Sequence, residues 1–455
     1  MSKNMSRRAF ISALSTGAAA AASAGVIRPL EHFTALAPQH NKLAILGGTP
    51  VAPDKVWPKW PYVDEKIVAR MADTVRTGKW CRKDAKGGNV DQFEQAFAEM
   101  LDARGCVCTG SGTQALHTVV EAMGFGPGDE IITSPYTDMG TLASILSARA
   151  LPVLADVDKD SFQIDPADVE YRITRRTKAI MPIHIMGQPC DMDKFQDIAR
   201  RHHLKLIEDA CQAHLAEYRG KKCGTIGDAG CFSFQSSKVI SCGEGGGIVS
   251  NNPKLLEDCC TVQNHGTNAL GRSVTIGPKY RMNELEAAIL LGQLVHAREQ
   301  NETRNDNARY LYEKFKGFAP LVPQKLYEGT DRGSFYLYTW AFHDECWDGI
   351  SREVFLKAMA AEGIKLSPYI KNGLHKEPWI DNILSRKEYR TMYTAARLAQ
   401  YKESMYLPGV DWVCDHMVML WASGPLLGTH ADMDDIVNAV MKVYENREQL
   451  RSLDI

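Results

Sequence analysis

A lysine stands alone between an aromatic segment and a glycine-rich segment. Lys238 follows residues 232–234, which read Phe-Ser-Phe, and precedes residues 243–247, which contain four glycines. An amine that burial and neighbouring charge keep deprotonated can attack a carbonyl carbon and form a Schiff base. The glycines would let the backbone approach a flat ring closely. A surface lysine is the ordinary alternative when this residue is considered by itself.

A carboxylate stands where a hydrophobic strand is predicted to end. Asp209 follows directly after segment 204–208, which has strand character. In open α/β sheets, ligands bind at the carboxyl ends of the strands. A buried carboxylate is costly unless a cationic or protonated group meets it, so Asp209 is a candidate partner for such a group. A helix cap or an ordinary ion pair is the alternative.

A short segment rich in glycine and hydroxyl groups has the composition of a phosphate cradle. Residues 110–115 read Gly-Ser-Gly-Thr-Gln-Ala and stand between a β-like segment and a helical pattern that starts near Ala115. Gly112 and Thr113 would leave backbone N–H groups free to hold a phosphate at the helix N-terminus. The same residues fit the G-x-G-x-x-A dinucleotide motif, with acidic residues 129 and 130 downstream, and they also fit a plain turn with a Ser/Thr cap.

These three segments together match the needs of pyridoxal phosphate. The cofactor requires an anion site for its phosphate, an acidic partner for its pyridinium nitrogen and an amine for its aldehyde. Asp209 would keep the ring nitrogen protonated, so that the ring accepts electrons from the substrate carbon. Lys238 would hold the cofactor and then move the proton between the substrate carbon and the cofactor carbon.

Short apolar segments that alternate with helical patterns must position these side chains. Strand character is found at 130–133, 152–155, 178–184 and 204–208, and a helix is predicted over 192–203. This alternation predicts an α/β fold whose large domain has a mainly parallel sheet covered by helices. A long helix over 284–308 is predicted to lead out of this domain, and a small C-terminal α+β domain is predicted from a strand over 335–342 and helices over 352–362 and 431–448.

The predicted organisation has four parts, namely a signal segment over 1–24, a turn-rich arm over 25–60, the large domain over 61–308 and the small domain over 309–455. The first part carries Arg7 and Arg8 before an apolar, Ala-rich stretch that ends in an A-x-A pattern at Ala24. These features are typical of a twin-arginine export signal, and a disordered basic N-terminus is the alternative. We therefore expect a mature chain that is periplasmic or otherwise located outside the cytoplasmic membrane.

The composition excludes several other classes of protein. The chain has 455 residues, of which 44% are apolar and 24% are charged, and its formal net charge is −2. These values exclude a disordered or collagen-like chain, and without a basic excess we expect no nucleic-acid partner. No run after the signal reaches the length of a membrane span. The 12 cysteines form no C-x-x-C pair and no zinc-type spacing, so we expect no metal site and nearly all thiols to be buried.

The chain resembles the DegT-type sugar aminotransferases, a family of fold-type I pyridoxal-phosphate enzymes, from about Leu43 to its C-terminus. The resemblance is carried by segments 111–116, 184–189, 208–214, 232–238, 244–246 and 280–283. The most specific of these strings are Glu-Asp-Ala-x-Gln-Ala-His at 208–214 and Phe-Ser-Phe-x-x-x-Lys at 232–238. The similarity implies an aminotransferase that works in two half reactions on pyridoxal phosphate.

The family pattern implies a role for each candidate site residue. Lys238 would form the Schiff base with the cofactor, and Asp209 would contact the pyridinium nitrogen. Gln212 would lie near the hydroxyl group of the ring, unless its amide has a structural role. The residues implied at the phosphate are Gly112, Thr113 and Ser233.

The resemblance also implies a homodimer whose active sites are shared across the interface, with segment 280–282 facing the neighbouring site. Lys279 replaces an asparagine that in the family commonly reaches the partner's phosphate, and a lysine could do so as a point charge. Asp138 replaces the aromatic residue that in the family commonly stacks on the cofactor. Tyr136, two positions away, would be displaced by about 7 Å on a strand, so the stacking residue is left unassigned.

The amino acceptor is predicted from weaker similarities. Segments 43–48, 57–61 and 426–428 resemble the branch that acts on cyclitol ketones or makes 3-amino-5-hydroxybenzoate. We therefore expect transfer of an amino group from glutamine or glutamate to a keto-sugar or keto-cyclitol. The candidate substrate contacts, each of which could instead be structural, are His184, His214, His265 and His375.

Two other functions are left open by the sequence. Asp138 and the predicted export would suit a non-catalytic protein that binds the cofactor as a sensor. The motif at 110–115 would suit a nicotinamide-dependent oxidoreductase, although that function leaves Asp209 and Lys238 unexplained.

Overall fold

A computed structural model describes residues 42–452 of the protein. A seven-stranded sheet forms their core, and two smaller sheets of three strands each accompany it. The strands are β1 (Gly105–Thr109), β2 (Glu130–Thr133), β3 (Leu151–Leu154), β4 (Thr177–Ile180), β5 (Lys205–Asp209), β6 (Glu217–Tyr218), β7 (Lys221–Lys222), β8 (Ala229–Ser233), β9 (Gly246–Ser250), β10 (Leu321–Pro323), β11 (Thr330–Arg332), β12 (Leu337–Phe342) and β13 (Met417–Trp421). The helices are α1 (Glu65–Thr77), α2 (Asn89–Met100), α3 (Gly112–Ala122), α4 (Met139–Ser147), α5 (Pro166–Tyr171), α6 (Met192–His202), α7 (Pro253–Gln263), α8 (Glu284–Lys314), α9 (Arg352–Ala361), α10 (Trp379–Ser385), α11 (Lys387–Met392), α12 (Ala395–Glu403), α13 (Pro408–His416) and α14 (His430–Glu445).

The central sheet has the strand order β1-β9-β8-β5-β4-β2-β3 and is mainly parallel. Within it, β9 runs antiparallel to its neighbours β1 and β8, and the other pairs are parallel. The strands β2 and β3 are buried along their whole length, as expected for strands that helices cover on both faces. The predicted α/β fold with a mainly parallel sheet is confirmed.

Two predicted strands are shorter than their hydrophobic patterns. The strand predicted over 178–184 is β4, which ends at Ile180, because Pro182 has no N–H group to continue the ladder. The strand β12 begins at Leu337, two residues later than predicted, because Phe335 has a φ of 50° and therefore leaves the extended conformation.

The long helix predicted over 284–308 is α8, which continues to Lys314. Asn283 caps its first turn, and Glu286 completes a capping box by accepting from the N–H of Asn283. The helix includes Gly292, and neither glycine nor proline follows it before Gly317, so the helix extends past the predicted end of the large domain. The described residues belong to one compact unit, and the predicted domain limits stay predictions.

The other predicted helices form close to their expected limits. The patterns at 192–203, 352–362 and 431–448 correspond to α6, α9 and α14. The helix α3 begins at Gly112, three residues before the start predicted near Ala115. Its early start follows from a cap, because the Oγ of Ser111 accepts a hydrogen bond from the N–H of Gln114.

The C-terminal part contains a second, antiparallel sheet of order β10-β12-β13. Beside it, Phe342 and Trp347 stack with ring centroids 4.9 Å apart, and α9 packs against α14. The segment α10 to α12 instead packs against the edge of the central sheet, where the hydroxyl of Tyr401 donates to the carbonyl of Pro152 next to the buried Leu151. Helices of the C-terminal part therefore contact both sheets.

The N-terminal arm, as far as residues 42–60 show it, is fastened to the C-terminal part. Lys55 forms hydrogen bonds with two aspartates of α14. Glu362, which follows α9, accepts from the N–H groups of Ala44 and Val51 at 2.9 and 3.0 Å. These contacts bring the two ends of the described chain together.

None of the helices in the described residues combines the length and the apolar character needed to cross a membrane. The predicted signal segment and its cleavage site lie outside those residues. All 12 cysteines lie within them and are free. The expectation that nearly all thiols are buried is wrong for Cys81 and Cys260, which are exposed.

Candidate active site

A cavity of about 400 Å³ opens at the carboxyl ends of β5 and β8, beside the N-terminus of α3. It is lined by six of the seven predicted site residues, namely Gly112, Thr113, Asp209, Gln212, Ser233 and Lys238. These residues come from three separate segments of the chain. The parallel sheet brings them together because its strands end at one edge.

The N-terminus of α3 forms one wall of the cavity with bare backbone. A Cβ atom on Gly112 would lie 2.8 Å from both the Sγ of Cys211 and the Cβ of Ser233, so only glycine fits this position without movement. A Cβ atom on Gly246 would lie 2.2 Å from the carbonyl oxygen of Ser111. The first N–H groups of a helix have no partners within the helix and carry partial positive charge. This wall can therefore bind a phosphate.

Asp209 is 3% exposed at the end of β5, and hydrogen-bond donors hold both of its carboxylate oxygens. The hydroxyl of Thr141 donates to Oδ2 at 2.7 Å, and the N–H of Cys211 donates to Oδ1 at 3.2 Å. The hydroxyl of Thr137 lies 3.0 Å from that of Thr141. This chain of hydroxyl groups fixes the direction in which the carboxylate faces the cavity.

Lys238 lies in the loop between β8 and β9, and contacts from distant segments hold its backbone. Its Nζ lies 4.1 Å from the ring centroid of Tyr336, whose hydroxyl lies 2.9 Å from the Oγ of Ser237. The indole N–H of Trp60 donates to the carbonyl of Lys238 at 3.0 Å. The segment around Trp60 contributed to the family resemblance, but no sequence signal linked it to Lys238.

A buried arginine supports this contact from behind. The guanidinium of Arg304 lies 4.7 Å from the ring of Trp60 and donates through Nε and Nη2 to the carbonyl of Ser423. The hydroxyl of Ser423 in turn donates to the carbonyl of Ser237 at 2.9 Å. Burial lowers the pKa of Arg304 to about 9, which still leaves the side chain protonated at neutral pH.

The amide of Gln212 lines the cavity and also holds the backbone around it. Its Oε1 accepts from the N–H of Met186 at 2.7 Å, and its Nε2 donates to the hydroxyl of Tyr369 at 2.9 Å. Met186 has a φ of 64°, a conformation that costs energy for a residue with a side chain. The structural role that the sequence left open for Gln212 is therefore present, while a contact with a ring hydroxyl stays a prediction.

None of the four histidines proposed as substrate contacts is among the residues that line the cavity. His184 is fully buried, and its Nδ1 accepts from the N–H of Cys190, so its Nε2 carries a proton and donates to Glu208 at 2.9 Å. His214 packs against Phe232 with ring centroids 5.4 Å apart. These two side chains lie in the core because they are paired or surrounded by apolar groups, and the prediction of substrate contacts is wrong for them within one chain.

The remaining two histidines are also directed elsewhere. His375 is 4% exposed and its Nε2 lies 3.0 Å from Asp411. His265 is exposed on the segment after α7, and it has a φ of 61°. Neither histidine reaches the cavity of its own chain.

Glu208 belongs to a buried cluster that has the residue types of a metal site. His184, Glu208 and Cys223 bring one ligand atom each within 4.8 Å of one another. Glu208 already accepts from the N–H groups of Gly224 and Ile226 at 2.7 Å, besides His184. Because both nitrogens of His184 are used, the cluster is a hydrogen-bond network that fixes the loop after β7.

The residues that sequence reasoning missed come mostly from the C-terminal part. Three aromatic side chains line the cavity, and we call them the aromatic wall: Tyr336, Tyr369 and Trp421. The rings of Tyr336 and Trp421 meet edge to face with centroids 5.6 Å apart. No local pattern marks these residues, because they lie far apart in the chain and only the fold joins them.

Asp138 lines the cavity and caps α4 by accepting from the N–H of Gly140 at 2.8 Å. Asp138 therefore caps a helix at the position where the family commonly has an aromatic ring. Tyr136 is 1% exposed and does not line the cavity, as expected from its displacement. Lys279 is exposed outside the cavity of its own chain, so a contact with the cofactor of a second copy stays a prediction.

The cavity fits pyridoxal phosphate in its three demands. The bare N-terminus of α3 offers an anion site, Asp209 offers a buried carboxylate, and Lys238 offers an amine. This site on a mainly parallel sheet defines a fold-type I aminotransferase. The chain belongs to the DegT/DnrJ/EryC1/StrS aminotransferase family, whose sequence profile matches residues 61–416. Aminotransferases of this family depend on pyridoxal phosphate.

Three named relatives match between 62% and 90% of this chain. A putative L-glutamine:3-amino-2,3-dideoxy-scyllo-inosose aminotransferase of Micromonospora echinospora is 34% identical over 90% of this chain and 99% of its own length. The L-glutamine:scyllo-inosose aminotransferase of Streptomyces griseus is 32% identical over 89% and 98%. GDP-perosamine synthase of Caulobacter vibrioides is 38% identical over 62% of this chain and 76% of its own length.

Solved structures share the fold. The crystal structure of 3-amino-5-hydroxybenzoic acid synthase superposes with a TM-score of 0.74 at 24% identity and covers 87% of this chain and 99% of that protein. The family assignment excludes the nicotinamide-dependent alternative for segment 110–115. Glu130, one of the acidic residues of that alternative, is fully buried and accepts from Thr174 and Arg397.

Proposed function

We propose that this protein binds pyridoxal phosphate and transfers the amino group of L-glutamine to the ketone of a cyclitol. The observation that carries the proposal is the match to relatives named as glutamine:inosose aminotransferases, over about nine-tenths of this chain and nearly all of theirs. The cavity supports it, because six predicted site residues of three distant segments meet there.

The residues that would hold the cofactor follow from their positions in the cavity. The first turn of α3, with Gly112 and Thr113, would bind the phosphate, and Ser233 lies against the same wall. Asp209 would face the ring nitrogen with a carboxylate that Thr141 orients. When bound, pyridoxal phosphate supplies an electron sink that stabilises negative charge on a substrate carbon.

Lys238 has the position of a general acid and base. Its amine would take a proton from a carbon of the bound substrate and deliver it to a carbon of the cofactor, and the carbonyl contact with Trp60 fixes the backbone from which the amine acts. The ring of Tyr336 covers the amine from one side.

A nucleotide-linked keto-sugar is the second candidate acceptor. GDP-perosamine synthase has the higher identity of 38%, but over 62% of the chain. The inosose aminotransferases match about nine-tenths of this chain and nearly all of their own length, and this longer match favours a cyclitol.

The test supplies the purified protein with pyridoxal phosphate, L-glutamine and either 2-deoxy-scyllo-inosose or a nucleotide-linked keto-sugar, and it measures the aminated product by mass spectrometry. We expect product from the cyclitol with the wild type and none with Lys238→Ala. Product from the nucleotide-linked sugar alone would show that this sugar, and not the cyclitol, is the amino acceptor. Product from neither ketone would contradict the proposed function.

We further propose a homodimer, because a loop beside Lys279 exposes apolar side chains. Leu270, Val274 and Ile276 are 80%, 59% and 93% exposed. A second copy would cover them and bring Lys279 to its neighbour's phosphate site. Light scattering should show twice the mass of one chain, and Ile276→Asp should shift this mass toward the monomer. Tyr171→Asp, at a side chain that is 83% exposed elsewhere, is the control, and a monomeric wild type would contradict the dimer.

We also propose export by the twin-arginine route, on the basis of Arg7 and Arg8 in the sequence. That route carries folded proteins, so cofactor could be bound before transport. Fractionation of cells that produce the tagged protein should find it outside the cytoplasmic membrane, and replacement of both arginines by lysine should retain it inside. Retention of the unchanged protein in the cytoplasm would contradict export.

A further inference from the structure

We infer that Asp138 and the aromatic wall form a subsite for a protonated amine, so that the preferred acceptor carries an amino group besides its ketone. This inference rests on the proposed function, because it names the class of cyclitol that the same cavity accepts. Asp138 also departs from the family resemblance, which gives the residue no role. The subsite would bind ketones that carry an amine more tightly than neutral ketones.

The carboxylate of Asp138 is available to a ligand. The side chain is exposed and lines the cavity, and its Oδ1 accepts one hydrogen bond from the N–H of Gly140. No lysine, arginine or histidine of residues 42–452 forms an ion pair with it. A carboxylate that keeps one oxygen for a helix cap can offer the other oxygen to a cation.

The aromatic wall supplies a second attraction for a cation. Trp421 is 46% exposed at the end of β13, and its ring lies 5.6 Å from that of Tyr336 and 6.4 Å from that of Tyr369. The faces of aromatic rings attract cations, and tryptophan does so most strongly. Burial, and then the neighbouring Tyr336 and Asp138, raise the pKa of the Tyr369 phenol, so this hydroxyl stays neutral beside the carboxylate.

The charges that line the cavity are mainly negative. Asp138, Asp209 and Glu244 contribute carboxylates, and Lys238 is the cation among the lining residues. Thr141 and Cys211 hold Asp209, and Lys238 is assigned to the cofactor, which leaves two carboxylates facing the remaining space. A diphosphate would be repelled there, whereas an ammonium group would be attracted.

The test compares two acceptors that differ in one substituent, 3-amino-2,3-dideoxy-scyllo-inosose and 2-deoxy-scyllo-inosose, which carry an amine and a hydroxyl at the same carbon. The variant is Asp138→Asn, because asparagine keeps the helix cap and removes the charge. We expect its KM for the amine-bearing ketone to rise about tenfold, the effect of losing a charged hydrogen bond, and its KM for the neutral ketone to stay unchanged. The half reaction with L-glutamine should also be unchanged.

The matched control is Asp165→Asn. Asp165 caps α5 by accepting from the N–H of Ala167 at 2.9 Å, in the same geometry as Asp138 but outside the cavity. We expect this variant to match the wild type with both ketones.

The failure of the inference differs from the failure of the proposed function. If the wild type aminates both ketones and Asp138→Asn alters their KM values equally, or alters neither, Asp138 does not recognise the amine and the proposed function stands. If the wild type aminates neither ketone, the proposed function is wrong and the inference falls with it.

Discussion

The reactivity of this site depends on how a few side chains are held. Asp209 faces the cavity with both oxygens occupied by donors, and Lys238 is fixed through its backbone carbonyl. Neither side chain is held by an ion pair within the described residues. Hydrogen bonds from neutral groups therefore determine the geometry of the two residues that do the chemistry.

Thr141→Val should lower kcat by about tenfold, because the carboxylate of Asp209 loses a donor and a hydrogen bond to a charged group contributes ~1.5–3 kcal/mol. Valine has nearly the same shape as threonine, so the packing around α4 should change little, but the lost hydrogen bond should also lower the free energy of unfolding by about 1.5–3 kcal/mol. Steady-state kinetics and thermal unfolding measure the two effects. The control is Thr118→Val, since the buried hydroxyl of Thr118 has no partner among the described residues, and equal kcat values for both variants would contradict the role of Thr141.

Trp60→Phe should lower kcat several-fold and leave KM for the acceptor nearly unchanged. The variant removes the N–H that holds the part-buried carbonyl of Lys238, and the loss of such a hydrogen bond weakens the hold on the lysine backbone by about 0.5–1.5 kcal/mol. Trp80→Phe is the control, because the indole of Trp80 also donates to a carbonyl but is 48% exposed and lies outside the cavity. A wild-type kcat for Trp60→Phe would show that this contact does not position the lysine.

Much of the site could be predicted from the sequence, because its chemistry is carried by short local strings. Asp209 and Lys238 each stand in a segment whose neighbours mark the end of a strand or a loop. The aromatic wall could not be predicted, since Trp421 reaches the cavity only through the packing of the C-terminal part. The sequence left the histidines open between substrate contacts and structural residues, because a histidine alone does not indicate whether its nitrogens are already paired.

Among the elements, the N-terminal arm has the most consequential contacts. It carries Trp60 to the carbonyl of Lys238, and it is fastened by Glu362 and α14. The glycines and prolines of the arm predicted a segment without regular structure. Its position could not be predicted, because the partners of its backbone lie more than 300 residues away.

Lys442→Met should lower the free energy of unfolding by about 3–5 kcal/mol, because it leaves Glu362 charged and buried without its cation. The two side chains are each 1% exposed and meet at 2.8 Å, and Lys442 also donates to the carbonyl of Thr49 in the arm. Chemical denaturation measures the loss. The double variant Lys442→Met, Glu362→Leu should recover part of it, and an unchanged unfolding midpoint for Lys442→Met would contradict the account of the arm.

For the molecule as a whole, the free energy of unfolding should depend on pH because His214 is neutral in the folded core. Burial, and then the charge of Lys238, lower the pKa of His214 from 6.5 to about 3. The unfolded chain therefore binds a proton below pH 6.5 that the folded chain does not bind. The contribution of the neutral His214 to the free energy of unfolding is therefore fully present above pH 6.5. It is lost progressively as the pH falls from 6.5 toward 3, by about 1.4 kcal/mol per pH unit.

His214→Gln tests this dependence, because glutamine does not titrate. Between pH 6 and 4.5, the free energy of unfolding should fall less steeply with pH in the variant than in the wild type, and from pH 7.5 to 9 the two slopes should agree. Denaturant unfolding at fixed pH values measures both ranges. Parallel curves over the whole acid range would contradict a neutral His214 in the folded state.

The fold class and the position of α8 could be predicted from the periodicity of the hydrophobic residues. This pattern extends over many residues, so a few exceptions do not change the prediction. The limits of β4 and β12 could not be predicted in this way, because Pro182 and the backbone conformation of Phe335 interrupt apolar patterns that continue on both sides. The cap by Ser111 starts α3 early and so places the N-terminus of this helix in the wall of the cavity.

The most direct test of the aminotransferase is the visible absorbance of the protein after incubation with pyridoxal phosphate. The wild type and the surface variant Lys254→Ala should show a visible band, which L-glutamine removes and a keto-cyclitol then restores, whereas Lys238→Ala should lack this cycle. Loss and return of the band in this order would establish both half reactions at one lysine. A protein that shows no visible band, or a band that neither glutamine nor glutamate removes, would contradict the account.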